Sequence, residues 1–293
     1  MVVAAEPIPA RFRRVLQHID AHLEAPLDLE ALSAVAAYSK FHFHRQFSEL
    51  FGLPLGRYLS LLRHRRAGYQ LAFRPEASVL EVALDAGYES AEAFARAFKR
   101  TFGLSPTAFR EAPSWAAWHE IYRSIHQLRS QNMPVTYQTT DVRIIDFEET
   151  PVALLEHRGP PEGLEETIQR FIGWRRANRL APSKSATFNL VYDDPATTPP
   201  EAFRFDLAAA CAHPIADNSA GVKAASIPAG RCAVLRHQGS DDGLGAAFQF
   251  LYGRWLPESG EEPRDFPTFM QRVRFFPDVP EAEAITDIFL PLR

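Results

Sequence analysis

The sequence predicts two domains: an N-terminal all-α double helix–turn–helix, and a C-terminal α+β domain with two pseudo-symmetric strand–strand–helix–strand–strand halves. Two internal repeats carry that prediction. In the first, Ser39, Phe43, Arg45, Phe47, Phe51, Gly52 and Leu53 recur 51 residues later as Ser90, Phe94, Arg96, Phe98, Phe102, Gly103 and Leu104. In the second, Ala153, Leu155, His157, Gly159, Gly163 and Leu164 recur 80 residues later as Ala233, Leu235, His237, Gly239, Gly243 and Leu244. Self-similarity at a fixed offset marks a duplicated structural unit. A chain of 293 residues is long enough to give each pair its own core.

In the first copy Asp28 is placed to cap a short helix ending near Ala36. Ala37-Tyr38-Ser39 forms the turn, and Ser39 caps a second helix over 40–51 that stops at Gly52. Small polar side chains accept from unpaired backbone N–H groups at helix starts, and glycine takes the left-handed backbone at helix ends. Phe43, Phe47, Leu50 and Phe51 fall at i, i+4, i+7 and i+8 and share one apolar face. Phe41, His44, Arg45 and Ser48 lie opposite. In the second copy Ser78 caps 79–86, Gly87-Tyr88 turns the chain, and Ser90 caps 91–102. Gly87 supplies the positive φ that a tight bend requires. Glu92, Ala95, Arg96 and Lys99 take the outward positions. An amphipathic helix over 57–73 joins the copies, another over 11–23 precedes them, and Ser105-Pro106 opens a last short one.

Past a further amphipathic helix over 115–129, set by Trp115, Trp118, Tyr122 and Ile125, the pattern changes period. Strands are expected over 142–147, 151–157, 186–192 and 203–210, with a helix over 164–178. Strands over 222–227, 232–237, 269–275 and 286–290, with a helix over 244–255, repeat that order. The domains are expected at 1–112 and 136–293, with 113–135 as a helical linker. Two related halves facing each other leave a groove on their axis, a natural small-molecule site. Trp174, Phe188, Tyr192, Tyr252 and Trp255 are its candidate aromatic walls, and such walls suit a lipophilic, cationic ligand.

Charge alone does not point to nucleic acid. Residues 1–113 hold 14 basic and 12 acidic residues, and the remainder holds 18 and 24. No run of 18 apolar residues occurs and the first ten residues lack a signal-peptide pattern, so a cytoplasmic protein without membrane contact is expected. Cys211 and Cys232 read as thiols of a reducing compartment. His42 and His44 are two apart on a helix and diverge, so no metal site is expected; nor is any cofactor. Gly-x-Ser-x-Gly, paired-carboxylate and His-Glu-x-x-His patterns are missing, and no catalytic residue or enzyme is expected. The duplication of His157 as His237 fits a structural strand position.

The doubled helix pair, with Arg at the same outward position, reads as a double-stranded DNA binder. The segment 27–110 resembles the DNA-binding domain of AraC/XylS-family bacterial transcription regulators. The resemblance rests on Ala31-Leu32, Ser39, Phe43, Arg45, Phe47, Gly52, Tyr58, Arg63, Val82-Ala83, Gly87-Tyr88, Ser90, Phe94, Arg96, Phe98-Lys99, Phe102-Gly103, Ser105-Pro106 and Phe109-Arg110. It implies seven helices and two reading helices in successive major grooves, about 34 Å apart. Arg45 and Arg96 can each hold a guanine edge or a phosphate. His44 can donate to a base, Phe41 can press on a thymine methyl, and Lys40, Lys99 and Arg100 position the backbone. Ser39, Ser48, Ser90 and Glu92 complete the candidate set. The second reading helix opens Ala91-Glu92-Ala93, where alanines read nothing and Glu92 repels phosphate. The first helix is therefore expected to do most of the reading.

The segment 142–292 resembles GyrI-like effector-binding domains, as found C-terminal to the DNA-binding domain in Rob-type regulators. The resemblance rests on His157-Arg158-Gly159, Tyr192-Asp193-Asp194-Pro195, Ile227-Pro228-Ala229-Gly230, His237-Gln238-Gly239, Trp255-Leu256-Pro257 and Asp287-Ile288-Phe289-Leu290-Pro291-Leu292, among others. It implies a small-molecule effector, aromatic or lipophilic in character. Many members carry a Glu after Pro-x-Phe. Here Met270 follows Pro267-Thr268-Phe269, and Arg272 replaces a Tyr, so Arg272 is a candidate partner for an anionic group. The combined expectation is a ligand-responsive transcription regulator with RNA polymerase as a further partner. The alternatives are a constitutive DNA binder with a protein-docking C-terminal domain, and a small-molecule hydrolase.

Overall fold

A computed structural model describes residues 10–119, 137–275 and 278–293. The chain forms two compact units, the first taking it up to Pro134 and the second most of the remaining chain. Among the described residues no helix is long and apolar enough to cross a membrane.

The first unit is helical: α1 (Ala10–Ala21), α2 (Leu29–Ala36), α3 (Lys40–Phe51), α4 (Leu55–Phe73), α5 (Val79–Asp85), α6 (Ala91–Phe102) and α7 (Pro106–Glu111). Residues 115–119 are helical too; the rest of the helix expected over 115–129, with Tyr122 and Ile125, lies outside the described residues. The expected caps form. Asp28 accepts from the N–H of Ala31, Ser39 from His42, Ser90 from Ala93 and Ser105 from Ala108. Ser78 and Glu81 cap α5 reciprocally, each side chain accepting from the other's backbone N–H. Gly52 and Gly103 close α3 and α6 at φ 66° and 76°.

The duplication contains one inserted residue. Tyr38 and Tyr88 each donate their N–H five residues back, to the carbonyls of Ser33 and Ala83. These landmarks repeat at 50, not 51, and Glu89 makes up the difference before Ser90. The left-handed turn residue is thus Ala37 at φ 53° in the first copy and Gly87 at φ 77° in the second.

Phenylalanines fill both halves of this core. Phe12 stacks on Phe43 with centroids 5.5 Å apart, and Phe47 meets Tyr58 edge-on at 5.4 Å. Phe98 packs against Phe94, Phe102 and Phe109 at 4.5–5.4 Å. Each such ring contributes roughly 1.5–3 kcal/mol on burial. From α4, Arg63 donates to the carbonyls of Leu23 and Ala25, and His64 bonds Thr101 of α6 and Tyr88 of the turn, both at 2.9 Å. Burial, then the nearby Arg57 and Arg100, pushes the His64 imidazole down to about 4, so it is neutral at pH 7.

The second unit is an eight-stranded antiparallel sheet with helices. Its strands are β1 (Val142–Phe147), β2 (Thr150–Arg158), β3 (Thr187–Val191), β4 (Arg204–Ala210), β5 (Lys223–Ile227), β6 (Gly230–Gln238), β7 (Thr268–Arg274) and β8 (Ile285–Pro291). α8 (Leu164–Ala177) follows β2. After β6 come α9 (Leu244–Phe250), a π turn at Leu251–Trp255 and α10 (Leu256–Ser259). The order is β1-β6-β8-β7-β3-β4-β2-β5. Read backwards, it exchanges each strand with its repeat, so a pseudo-twofold axis passes between β3 and β7. The leading strands are swapped between halves. Ile144 of β1 pairs with Ala233 of β6, and Ala224 of β5 pairs with Ala153 of β2.

This order forces curvature. The links Glu148-Glu149 and Pro228-Ala229 each join strands six places apart. In a flat sheet that distance is roughly 29 Å, and three peptide steps reach only about 11 Å. The sheet therefore curls into a half-barrel. Phe147 and Phe188, four strands apart, meet with centroids separated by 6.4 Å. They share the concave face with Phe269 and Phe289, which stack at 4.7 Å.

One row of directly paired residues crosses six strands: Leu155, Leu207, Asn189, Met270, Ile288 and Leu235. Directly paired residues share a face. Leu155 and Leu207 pack with Phe171 of α8, and Ile288 and Leu235 pack with Leu251 and Trp255. Both helices therefore lie on the convex face, over the outer strands, and leave β3 and β7 between them.

Candidate functional site

The two capped helices α3 and α6 present the candidate DNA-reading surface. On α3, Phe41 is 90% exposed, far beyond what core packing allows a phenylalanine. Arg45 and His44 are exposed beside it, and Arg45 makes no hydrogen bond or ion pair with a described residue. Lys40 pairs with Glu30 of α2 at 2.7 Å, both largely exposed; such a pair is worth at most about 1 kcal/mol and yields readily to phosphate. The Ser39 hydroxyl is engaged in capping. Ser48 departs from its expected outward position: it is half-buried, and its hydroxyl is enclosed without a hydrogen bond among the described residues. Directly after buried Phe47, it sits at the edge of the packed face, so it is removed from the reading set.

On α6, Glu92, Arg96, Lys99 and Arg100 are exposed, and Ser90 is half-buried as a cap. Lys99 and Arg100 occupy the last turn, where positive charge also complements the helix dipole. The first turn offers Glu92 and two alanines. The two helices thus differ in chemistry, although their backbones and caps repeat.

In the second unit the strip of β3 and β7 that α8 and α9 leave between them carries Thr187, Asn189, Val191, Thr268, Met270 and Arg272 on the convex face. The Arg175 guanidinium donates to Thr187, and the Tyr252 hydroxyl bonds Thr268. Burial lowers Arg175 to about 10, still charged at pH 7. Arg272 donates to both carboxylate oxygens of Asp241, at 2.6 and 2.8 Å. Asn189 is 8% exposed, and its amide makes no hydrogen bond to a described residue.

The six expected effector residues do not share one cavity. Phe188 and Tyr192 alternate with Asn189 and Val191 along the strand, so they project from the concave face, away from both helices. Phe188 is core there, and Tyr192 lies under the Arg204 guanidinium at 3.7 Å with its hydroxyl accepting from the same group. Trp255, the last residue of the π turn, is buried in the core with Leu235 and Ile288. Trp174 packs against the core cluster of Leu155, Leu207 and Val222, with its ring parallel to that of Phe171 at 6.3 Å. Tyr252 and Arg272 remain at the cleft, and Arg272 is already neutralised by Asp241. Asn189, between Phe188 and Leu190, is a buried polar residue on the convex face, and the sequence pattern does not single it out.

His157 and His237 have both ring nitrogens engaged. His157 bonds Thr167 and the Pro160 carbonyl, and His237 bonds Tyr137 and the Ser240 carbonyl. They tie each strand end to the segment just after it.

A family model for the GyrI-like small molecule binding domain matches residues 140–293, and a helix-turn-helix domain model matches 32–112. The chain is 42% identical over 159 residues to the probable transcriptional regulator YgiV of Escherichia coli (strain K12), covering 54% of this chain and 99% of that protein. It is 34% identical over 108 residues to the right origin-binding protein of the same organism, 36% of each chain. The cryo-EM structure of the EcmrR-DNA complex in EcmrR-RPo is 16% identical over 87% of this chain and 85% of that chain, with a TM-score of 0.45. A DNA-binding helical domain joined to a small-molecule-binding domain defines a transcription regulator. The chain belongs to the GyrI-like family, with an AraC-type helix–turn–helix domain ahead of it.

Proposed function

We propose that this regulator reads its operator mainly through α3, uses α6 chiefly to position the duplex, and responds to a small molecule held between α8 and α9. The carrying observation is the contrast between the two helices. α3 offers exposed Phe41 and His44, and an Arg45 without a partner among the described residues, whereas α6 opens with Ala91-Glu92-Ala93. Arg45 supplies bidentate readout of a base edge, and Arg96, Lys99 and Arg100 neutralise phosphates. The DNA-binding part is residues 1–112, the linker 113–135 and the effector part 136–293. RNA polymerase is the further partner of a regulator seated on promoter DNA. The effector acts by binding the DNA-competent arrangement with a different affinity from the alternative one, since equal binding shifts nothing.

The test is selection of bound DNA from a random duplex pool by the full chain and by Arg45→Ala. A recurring motif with two contacts about one helical turn apart, weakened at one of them in the variant, supports the reading. No enrichment with the wild type at modest salt overturns it.

A further inference from the structure

The two histidines that the repeat pairs, His157 and His237, are satisfied from different places. Each ring donates from Nε2 to a carbonyl just beyond its strand, that of Pro160 or of Ser240. A carbonyl only accepts, so in the neutral ring Nδ1 is left as an acceptor. In the first half Nδ1 takes its hydrogen bond from Thr167, which α8 itself supplies, at 2.9 Å. In the second half the residue corresponding to Thr167 is Ala247 of α9, which has no hydroxyl. Tyr137 replaces it: its hydroxyl donates to His237 Nδ1 at 2.7 Å. Tyr137 belongs to neither helix. It stands ahead of β1, where the chain enters the second unit, two residues past the linker.

The rest of the seat is equally one-sided. Tyr137 is 7% exposed, and its ring lies against Phe250 with centroids 5.6 Å apart. It shares a core cluster with Ala247, Phe250, Leu251 and Trp255 of α9 and the π turn. The repeat partner of Phe250 is Arg170, and that of Tyr137 is Asp217; both are exposed. Three matched differences, Tyr137 for Asp217, Ala247 for Thr167 and Phe250 for Arg170, build this socket in one half only. Burial, with Asp141 adding to it, pushes the Tyr137 hydroxyl up to about 12, so it stays a donor at pH 7.

We propose that Tyr137 is a plug that ties the chain emerging from the linker to α9, and that effector binding and DNA binding are coupled through this seat. The inference rests on the reading of α9 as a wall of the effector site. An effector that shifts α9 moves Tyr137, and with it the chain that leads from the DNA-reading unit. α8 has no such tie, because His157 is satisfied within its own half. Coupling between two sites is reciprocal. DNA held by α3 and α6 is then felt at α9 and not at α8, which can be read without knowing the effector.

The test is backbone hydrogen exchange of the full chain, with and without the duplex that the chain selects, and with anisotropy on the same samples reporting DNA binding. In wild type the duplex should change exchange at 244–255 by about threefold or more and leave 164–177 as it was. Tyr137→Phe combined with Ala247→Thr gives His237 a hydroxyl from α9, as the first half does. That variant should still bind the duplex and lose the response at 244–255. Tyr137→Phe alone, which keeps the ring, should weaken the response without abolishing it. In DNA-free protein, Tyr137→Ala should speed exchange at 244–255 by about fivefold or more and not at 164–177. No DNA binding by wild type counts against the regulator reading. DNA binding without a response at 244–255, or an equal response in the double variant, overturns the coupling. Unchanged exchange at 244–255 in Tyr137→Ala overturns the seat itself, whatever the duplex does.

Discussion

Asn189 and Met270 face each other across β3 and β7 at a position that the repeat maps onto itself. The paired row Leu155–Leu207–Asn189 repeats as Leu235–Ile288–Met270, so the offset of 80 at β2 becomes 81 at β4 and β3, and the pseudo-twofold axis runs through this pair. A symmetric cleft would carry like residues here. This one carries an amide on one strand and a thioether on the other, which gives it a polar and an apolar side.

Asn189→Leu is expected to raise stability. A buried amide without a hydrogen bond costs about 1–3 kcal/mol relative to a satisfied one, and leucine keeps the branching at Cγ without that cost. Urea unfolding of the full chain should show the second unit more stable by roughly 1 kcal/mol. The same variant should lose response to effector, the pattern of a residue kept for function rather than for packing.

The two helix–turn–helix turns should answer glycine–alanine exchange with opposite signs. Ala37 holds a left-handed backbone at φ 53° that costs an L-residue about 1–2 kcal/mol, so Ala37→Gly relieves strain at some cost in chain entropy. At Gly87, φ is 77° and an added Cβ would lie 3.0 Å from the Arg63 guanidinium. Arg63 also holds the Leu23 and Ala25 carbonyls, so it cannot move freely. Gly87→Ala should destabilise the helical unit by about 1–2 kcal/mol, measured by denaturant midpoint, while Ala37→Gly leaves it unchanged or slightly more stable.

His64 makes the helical unit acid-sensitive. Its folded value, about 4, lies below the ordinary 6.5. The unfolded chain therefore binds the extra proton first as pH falls. The stabilisation is complete above about pH 6.5 and is lost progressively toward pH 4, on the order of 3 kcal/mol in all. Thermal melts across that range should show the loss in wild type and much less of it in His64→Gln, which keeps hydrogen-bonding capacity but does not titrate.

Much of this was legible in the chain because it is local. Caps such as Ser39 and Ser90, closing glycines, and the period-two strands write themselves in adjacent residues. Strand exchange between the halves was not legible, since β1 finds β6 through contacts some 90 residues away. Ring chemistry singles out Phe188 and Tyr192, and strand alternation puts them on the same face as each other, but nothing local says which face carries the helices. Asn189, between them, faces the cleft. Glu89 leaves no local mark, because the second helices repeat at 51 and only the turns and first helices repeat at 50.

The division of labour between α3 and α6 is tested most directly by fluorescence anisotropy on the selected duplex and on a scrambled one, across a salt series. Arg45→Ala should lower the ratio of specific to scrambled affinity at least tenfold, the size of one lost bidentate base contact. Arg96→Ala should weaken both duplexes alike and reduce the salt slope by about one. Retention of the ratio in Arg45→Ala, or its collapse in Arg96→Ala, would contradict the account.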